Sequence, residues 1–326
     1  MIRRRTTASS LAAAAVYLMI AAPIPAQDYP VKPVRFVIAF SPGGPSDILT
    51  RLIGSKLAES LGQPFIFDNR PGAGGNVAGE IVAKSPADGY TLLMGNNSIL
   101  ATNASLYKNM SFDPVKDLAP VALLASQPNI LVVHPSVPVK SVKELIAFAK
   151  AHPGQLNYAS SGSGAAAHLA AELFKSMAGV SMVHIPYKGA SPALVDMLAG
   201  QCQVMFATAL SVQPYLQSNR LRPLAVSTAK RSRMMPQLPT VAEAGVPGFE
   251  ATTWHGIVST GGTPAAIINK LNAEINRILK LPDVNSTLTR QGAEVLGGTS
   301  QEFAAYVKAE IPKWTKVVKE SGARPD

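Results

Sequence analysis

The chain has 326 residues, 47% of them hydrophobic and 15% charged, and Lys and Arg outnumber Asp and Glu by 30 to 20 for a formal charge of +10. That length and apolar content allow two domains with substantial cores, while 6% aromatics and dispersed basic residues argue against nucleic acid as a partner, since a binding groove needs a basic stripe carrying stacking rings. A single cysteine, Cys202, excludes an internal disulfide and any paired-cysteine metal site.

Arg3, Arg4 and Arg5, an apolar run of 12 residues from Leu11 to Ala22, and Pro23-Ile24-Pro25-Ala26 read as an export signal cleaved near Ala26. Twelve apolar residues are too few to cross a bilayer, which takes roughly 20. The expected location is therefore the periplasm, and the loss of three arginines leaves a mature surplus of +7 that draws acidic ligands inward. Beyond the signal, strands and helices alternate. Val34 to Phe40 is a β-rich run, Pro45 sits at a first helical position, and Ile48, Leu49, Leu52, Ile53, Leu57 and Leu61 repeat at helical spacing. A strand over 64–68, a helix over 76–84 and a strand over 90–94 complete a βαβαβ unit. A second unit of the same kind runs from strand 129–133 through the Ser141/Glu144 capping box, strand 156–159, helix 165–177, strand 181–185, a helix from Ser191-Pro192 to Leu198, and strand 203–206. A strand over 256–259 follows, then a long helix capped by Thr263-Pro264 and a last one capped by Thr299 and Glu302.

Three glycine- and serine-rich turns stand between a strand and a helix: Ser41-Pro42-Gly43-Gly44, Pro71-Gly72-Ala73-Gly74-Gly75 and Ser160-Ser161-Gly162-Ser163-Gly164. Such turns present unpaired N–H groups at the positive end of a helix dipole, which suits a small anion. In open α/β sheets ligands bind beyond the carboxyl ends of the strands, so all three turns are expected to face one cleft. The predicted fold is α/β with two lobes, parallel-rich sheets and helices on both faces. The predicted boundaries are 1–26 for the signal, 27–128 plus 253–326 for one lobe and 129–252 for the other.

The segments Phe40-Ser41-Pro42-Gly43-Gly44-Pro45-Ser46-Asp47, Asn69 to Asn76, Asp88 to Leu93, Tyr158 to Gly162, His168 to Phe174, Pro186-Tyr187-Lys188-Gly189 and Pro239 to Gly245 resemble, in order and over nearly the whole mature chain, the Bug family of receptors for tripartite tricarboxylate transporters. The resemblance implies a type II periplasmic binding protein fold, no cofactor, no metal, and a monomer that closes on a small carboxylate and delivers it to a membrane permease. It also implies a carboxylate held largely by backbone groups and waters. Carried onto this sequence, the site is Phe40, Ser41, Gly43, Gly44 and Asp47 from the first loop and Ser160, Ser163, Gly164 and His168 from the second. Two positions depart from the family pattern. Ala165 stands where relatives often carry a serine, and Ala207 replaces a common acidic residue, which with Thr208 and Ala209 makes that wall less polar and disfavours an amino-acid ligand.

Asn96, Tyr187, Ala207, Thr208 and Trp254 complete the candidate set. Each candidate also has a plainer reading: Asp47 as a complement to the helix dipole, His168 as a packed histidine, Tyr187 with Lys188 as a turn, Asn96 as an ordinary loop residue, Trp254 with His255 as hinge packing, and the Gly72 to Gly75 turn as a buttress for the first loop. An enzyme acting on a carboxylate or ester is one alternative function, and a receptor feeding a sensor kinase is another. The dinucleotide-like Gly162-x-Gly164-x-x-Ala167 lacks the acidic residue that would hold a ribose, and no catalytic motif of hydrolases or metalloenzymes is present.

Overall fold

A computed structural model describes residues 29–325 apart from 233, 234, 291 and 322, so the export signal and its cleavage site lie outside the described residues. β-branched and aromatic side chains at alternating positions make β1 (Val34–Ile38), which lies between the parallel strands β2 (Phe65–Asn69) and β3 (Thr91–Asn96). Helix α1 (Pro45–Leu61) starts on its proline and ends at Gly62, whose N–H returns to the Ala58 carbonyl. It lays Leu49, Ile53 and Leu57, all fully buried, on one face of that sheet, where α8 (Ala265–Leu279) adds Leu271, Ile275 and Ile278. On the other face sits α2 (Asn76–Ala83), followed after β3 by a π-helical turn over 98–102 and the short α3 (Asn103–Leu106).

The sequence predicts a strand over 129–133; the structure extends it back into β4 (Leu118–Val133). Up to Pro128 this strand pairs antiparallel with β9 (Thr252–Thr260), and near Ser126 also with the two-residue β10 (Glu294–Val295). From Asn129 it pairs antiparallel with β7 (Val204–Thr208) and β8 (Arg222–Val226). One strand therefore belongs to both lobes. The second unit is not the all-parallel copy of the first that its alternating pattern suggests: β5 (Asn157–Ser160) is parallel to β6 (Val183–Pro186) and β7, but β4 runs against β7. Helices α4 (Val142–Ala151), α5 (Ala166–Ala178), α6 (Ala190–Leu198) and α7 (Ala209–Gln217) complete this lobe.

The Ser141 hydroxyl accepts from the Glu144 N–H, and the Thr299/Glu302 box closes in both directions at 3.1 and 2.7 Å. Thr263 does not cap α8, because its hydroxyl donates back to the Thr260 carbonyl and Pro264 takes the cap position. After α9 (Pro282–Arg290), the last helix α10 (Ser300–Ser321) packs on β4, the 98–102 turn and also α5, so the tail bridges the lobes rather than covering only the first. Its anchor is Glu310, whose Oε2 accepts from the indole N–H groups of both Trp254 and Trp314 at 2.8 Å.

Candidate functional site

Helix α1 begins at Gly44 and α5 at Ala165, both without a side-chain cap, so their first N–H groups are left for an outside acceptor. Both beginnings open on the same cavity, which is partly open to solvent. Phe40, Gly44, Pro45 and Ser46 form one wall; Ser161, Ala166, Ala167, Ala190 and the β7 residues Met205 to Thr208 form the other. The floor is made where the strands cross between lobes: Asn96 from the end of β3, Asn129 from the middle of β4, and Thr253 and His255 from the first half of β9. No lining residue is Lys, Arg, Asp or Glu. Attraction for an anion here falls to the backbone dipoles of the helix starts, which cost no desolvated counter-charge.

Of the predicted site residues, Phe40, Gly44, Asn96, Ala207 and Thr208 line this cavity. The others stand behind its walls. Asp47 accepts from the Gly43 N–H at 2.9 Å, from Asn69 at 3.1 Å and from Arg51 at 3.0 Å, so it stiffens the first loop and consumes the Gly43 donor. Burial alone would raise its carboxyl, but these hydrogen bonds outweigh it and hold the group below the usual carboxylate range. Ser41 gives both its N–H and its hydroxyl to the Lys188 carbonyl, at 3.1 and 2.5 Å, and Ser191 donates to the Pro42 carbonyl at 3.0 Å. Ser41 thus ties the first loop to the turn before α6.

In the second loop, the Ser160 hydroxyl is 2.6 Å from His184 Nε2 and accepts from the Gly162 N–H. A serine–histidine contact of this length is the geometry of an activated nucleophile, but Ser160 is fully buried and absent from the cavity lining. The Gly164 N–H donates to His168 Nδ1 at 3.0 Å. The His168 ring stacks on His184 at 4.1 Å, and burial first, then the charges of His184 and Lys175, pulls it down to about 3. His168 is therefore a neutral, packed histidine that fixes the loop. Ser163 turns its carbonyl to the Tyr107 hydroxyl at 2.9 Å.

Tyr187 points away from the cleft, donating to Asp196 at 2.6 Å; burial above all, and then Asp196 and Cys202, raise its hydroxyl. Trp254 is fully buried on the Glu310 face of β9. Strand alternation sends its neighbour His255 to the cavity face, where the sequence leaves the choice between the two open. The Gly74 turn does not face the cavity either. It lies against the second loop, with its absent Cβ only 2.3 Å from the Ser163 carbonyl oxygen. Residues missed by the sequence reading carry one usable signal, their place in the chain: Ser46 lies in the first turn of α1, Thr253 near the start of β9, and Asn129 where β4 changes partners.

Two open-ended helix starts facing each other across a cleft between two sheets joined by a shared strand define a periplasmic binding protein. The family model described as "Tripartite tricarboxylate transporter family receptor" matches residues 49–323, and the chain belongs to that family. It is 38% identical to Protein BugT of Bordetella pertussis over 306 residues, 94% of each chain. It is 37% identical over 293 residues to the "UPF0065 protein in tcbD-tcbE intergenic region" of Pseudomonas sp. strain P51, covering 90% of this chain and 87% of that one. Among solved structures it matches "R. palustris Rpa4515 with adipate" with a TM-score of 0.89 and 42% identity, over 92% of this chain and 100% of the other. The structure "MatC (Rpa3494) from Rhodopseudomonas palustris with bound malate" matches with a TM-score of 0.86 and 33% identity, over 89% of this chain and 100% of that one. A third structure, "Structure of periplasmic binding protein BugD", matches with a TM-score of 0.87 and 32% identity, over 91% of this chain and 100% of that one, and the family places this chain among solute receptors of transporters.

Proposed function

We propose that this protein captures a small carboxylate between its lobes in the periplasm, after removal of the segment ending near Ala26, and hands it as a monomer to the membrane permease of a tripartite tricarboxylate transporter. The observation that carries this reading is the pair of uncapped helix starts, α1 and α5, opening on one cavity without a charged side chain. One carboxylate bridging the two starts is held by charge-assisted N–H bonds from both lobes, so binding and closure become one event. The lobes are 27–128 plus 253–326 and 129–252, hinged where β4 exchanges β9 for β7 and β8. The adipate and malate held by the two similar structures make aliphatic dicarboxylates the first compounds to try. The test is calorimetric titration of the mature protein with such acids, followed by mass spectrometry of the recovered ligand. A bound and chemically unchanged acid supports a receptor; a converted one points to the enzyme alternative, and absence of binding overturns the reading.

A further inference from the structure

The cavity floor contains polar groups that the fold itself does not use. In the strand register Asn96 faces His255 across β3 and β9, and Thr253 faces Gln127 across β9 and β4. Alternation puts Thr253 and His255 on one face of β9, and places Gln127 two residues before the cavity-lining Asn129. Most polar atoms here are occupied. Asn96 Oδ1 accepts from the Ile99 N–H at 3.2 Å, Asn129 Oδ1 accepts from the Thr253 hydroxyl at 3.1 Å, and Asn129 Nδ2 donates to the Ala251 carbonyl at 3.4 Å. Two residues break the pattern. His255, 2% exposed, has its Nδ1 buried without a partner, and Gln127, 1% exposed, has neither amide atom paired.

Buried polar atoms without partners are costly and uncommon, and packing alone would be better served by apolar residues of the same size. Burial holds the His255 imidazole neutral, down to about 4, and no neighbouring charge contributes. A neutral imidazole has one N–H and one lone pair. An orphaned buried donor is rarer than an orphaned acceptor, so the unpaired Nδ1 carries the lone pair and the proton stands on Nε2 of this cavity-lining ring.

We propose that His255 is the specificity-determining contact for a second carboxylate on the ligand, at the end remote from the two helix starts. The inference rests on the carboxylate reading above and adds that the site distinguishes a diacid from a monoacid of equal chain length. The Nε2–H donates to the remote carboxylate while the apolar wall of Phe40, Met205, Phe206 and Ala207 takes the methylene chain. A monoacid leaves that donor unpaired, which is the arrangement that discriminates most strongly between otherwise similar ligands.

The test compares adipate with hexanoate and succinate with butyrate by titration calorimetry on the mature protein, its His255→Leu variant and its His255→Gln variant, with circular dichroism checking the fold of each. The expected result is a preference of the wild type for one diacid over its matched monoacid by on the order of 10-fold or more. His255→Leu should bring that ratio to near unity by weakening the diacid alone, and His255→Gln, which keeps a donor, should restore part of it. Equal weakening of monoacid and diacid in His255→Leu, or an unchanged ratio, would overturn the assignment and leave His255 a packing residue. A wild type that binds monoacids and diacids alike also overturns it while leaving the carboxylate reading intact, whereas a wild type that binds none of the four acids defeats both.

Discussion

Gly74→Ala places a methyl group where the two glycine loops meet. Gly74 has φ +60, and an added Cβ would lie 2.3 Å from the Ser163 carbonyl oxygen and 3.2 Å from the Tyr107 hydroxyl. The first contact is backbone, so relief requires the loops to part by about 1 Å, breaking the 2.9 Å hydrogen bond from Tyr107 to Ser163. That bond accounts for about 1 kcal/mol and the lost contact surface for about as much again. A closed form less favourable by about 2 kcal/mol lowers its population, and hence the apparent affinity, by about 30-fold. The left-handed backbone adds a further cost of about 1–2 kcal/mol, which falls on open and closed forms alike and lowers stability without touching affinity. Gly62→Ala separates the two effects: Gly62 has φ +71 but nothing within 4 Å of its added Cβ. Calorimetry with any carboxylate that binds the wild type, together with thermal unfolding, should show both variants destabilised and only Gly74→Ala weakened in binding. Wild-type affinity in Gly74→Ala, or equal loss in both variants, would refute the closure contact.

Acid should destabilise the protein through its buried histidines. His255 and His168 stand at about 4 and about 3 against an ordinary 6.5, so below pH 6.5 the unfolded chain binds protons that the fold refuses. Stability is flat above pH 6.5 from these groups and falls below it, by about 2 kcal/mol for each histidine at pH 5; urea midpoints at pH 7.5 and 5 measure this, and His168→Gln or His255→Gln should each flatten the slope. Ser161→Asp puts a negative charge on the cavity wall beside the start of α5, and carboxylate affinity should drop by about 100-fold or more with an unchanged melting temperature; retained affinity would remove the anion from that helix start. Glu310→Ala leaves the Trp254 and Trp314 indole donors unpaired in the interior, a loss of on the order of 3 kcal/mol in denaturant unfolding. Glu310→Gln, which keeps an acceptor oxygen, should lose distinctly less, and equal losses would deny Glu310 its anchoring role.

Local chemistry made much of this fold readable from the chain alone. Pro45 marks the start of α1 as read, and the Thr299/Glu302 box closes as its spacing implies. What stayed hidden depends on long-range pairing. Pro120 and Pro128 argue against a strand over 118–128, yet Pro120 adjoins a register shift and Pro128 stands where β4 changes partners. Strand direction leaves no mark in an apolar run, so the antiparallel turn of β4 against β7 could not be seen. At the site, the backbone features were legible because glycine turns and helix starts are adjacent in sequence. The intramolecular partners of Ser41, Asp47 and His168 were not legible, because Lys188, Asn69 and His184 are brought to them by tertiary contacts. The reverse holds for Gln127 and His255, which are separated by most of the second lobe in sequence and reach adjacent strands only through the pairing of β4 with β9.

The central claim is that the paired helix starts hold a carboxylate, and thermal unfolding of the mature protein against a panel of small carboxylates tests it most directly. A ligand at 100 times its dissociation constant should add about 2.7 kcal/mol, a rise of roughly 4–5 °C for a chain of about 300 residues. The account predicts such a rise for aliphatic carboxylates, none for the corresponding amides, and recovery of the acid unchanged. A rise with the amides as large as with the acids, or no rise across the panel, would contradict it.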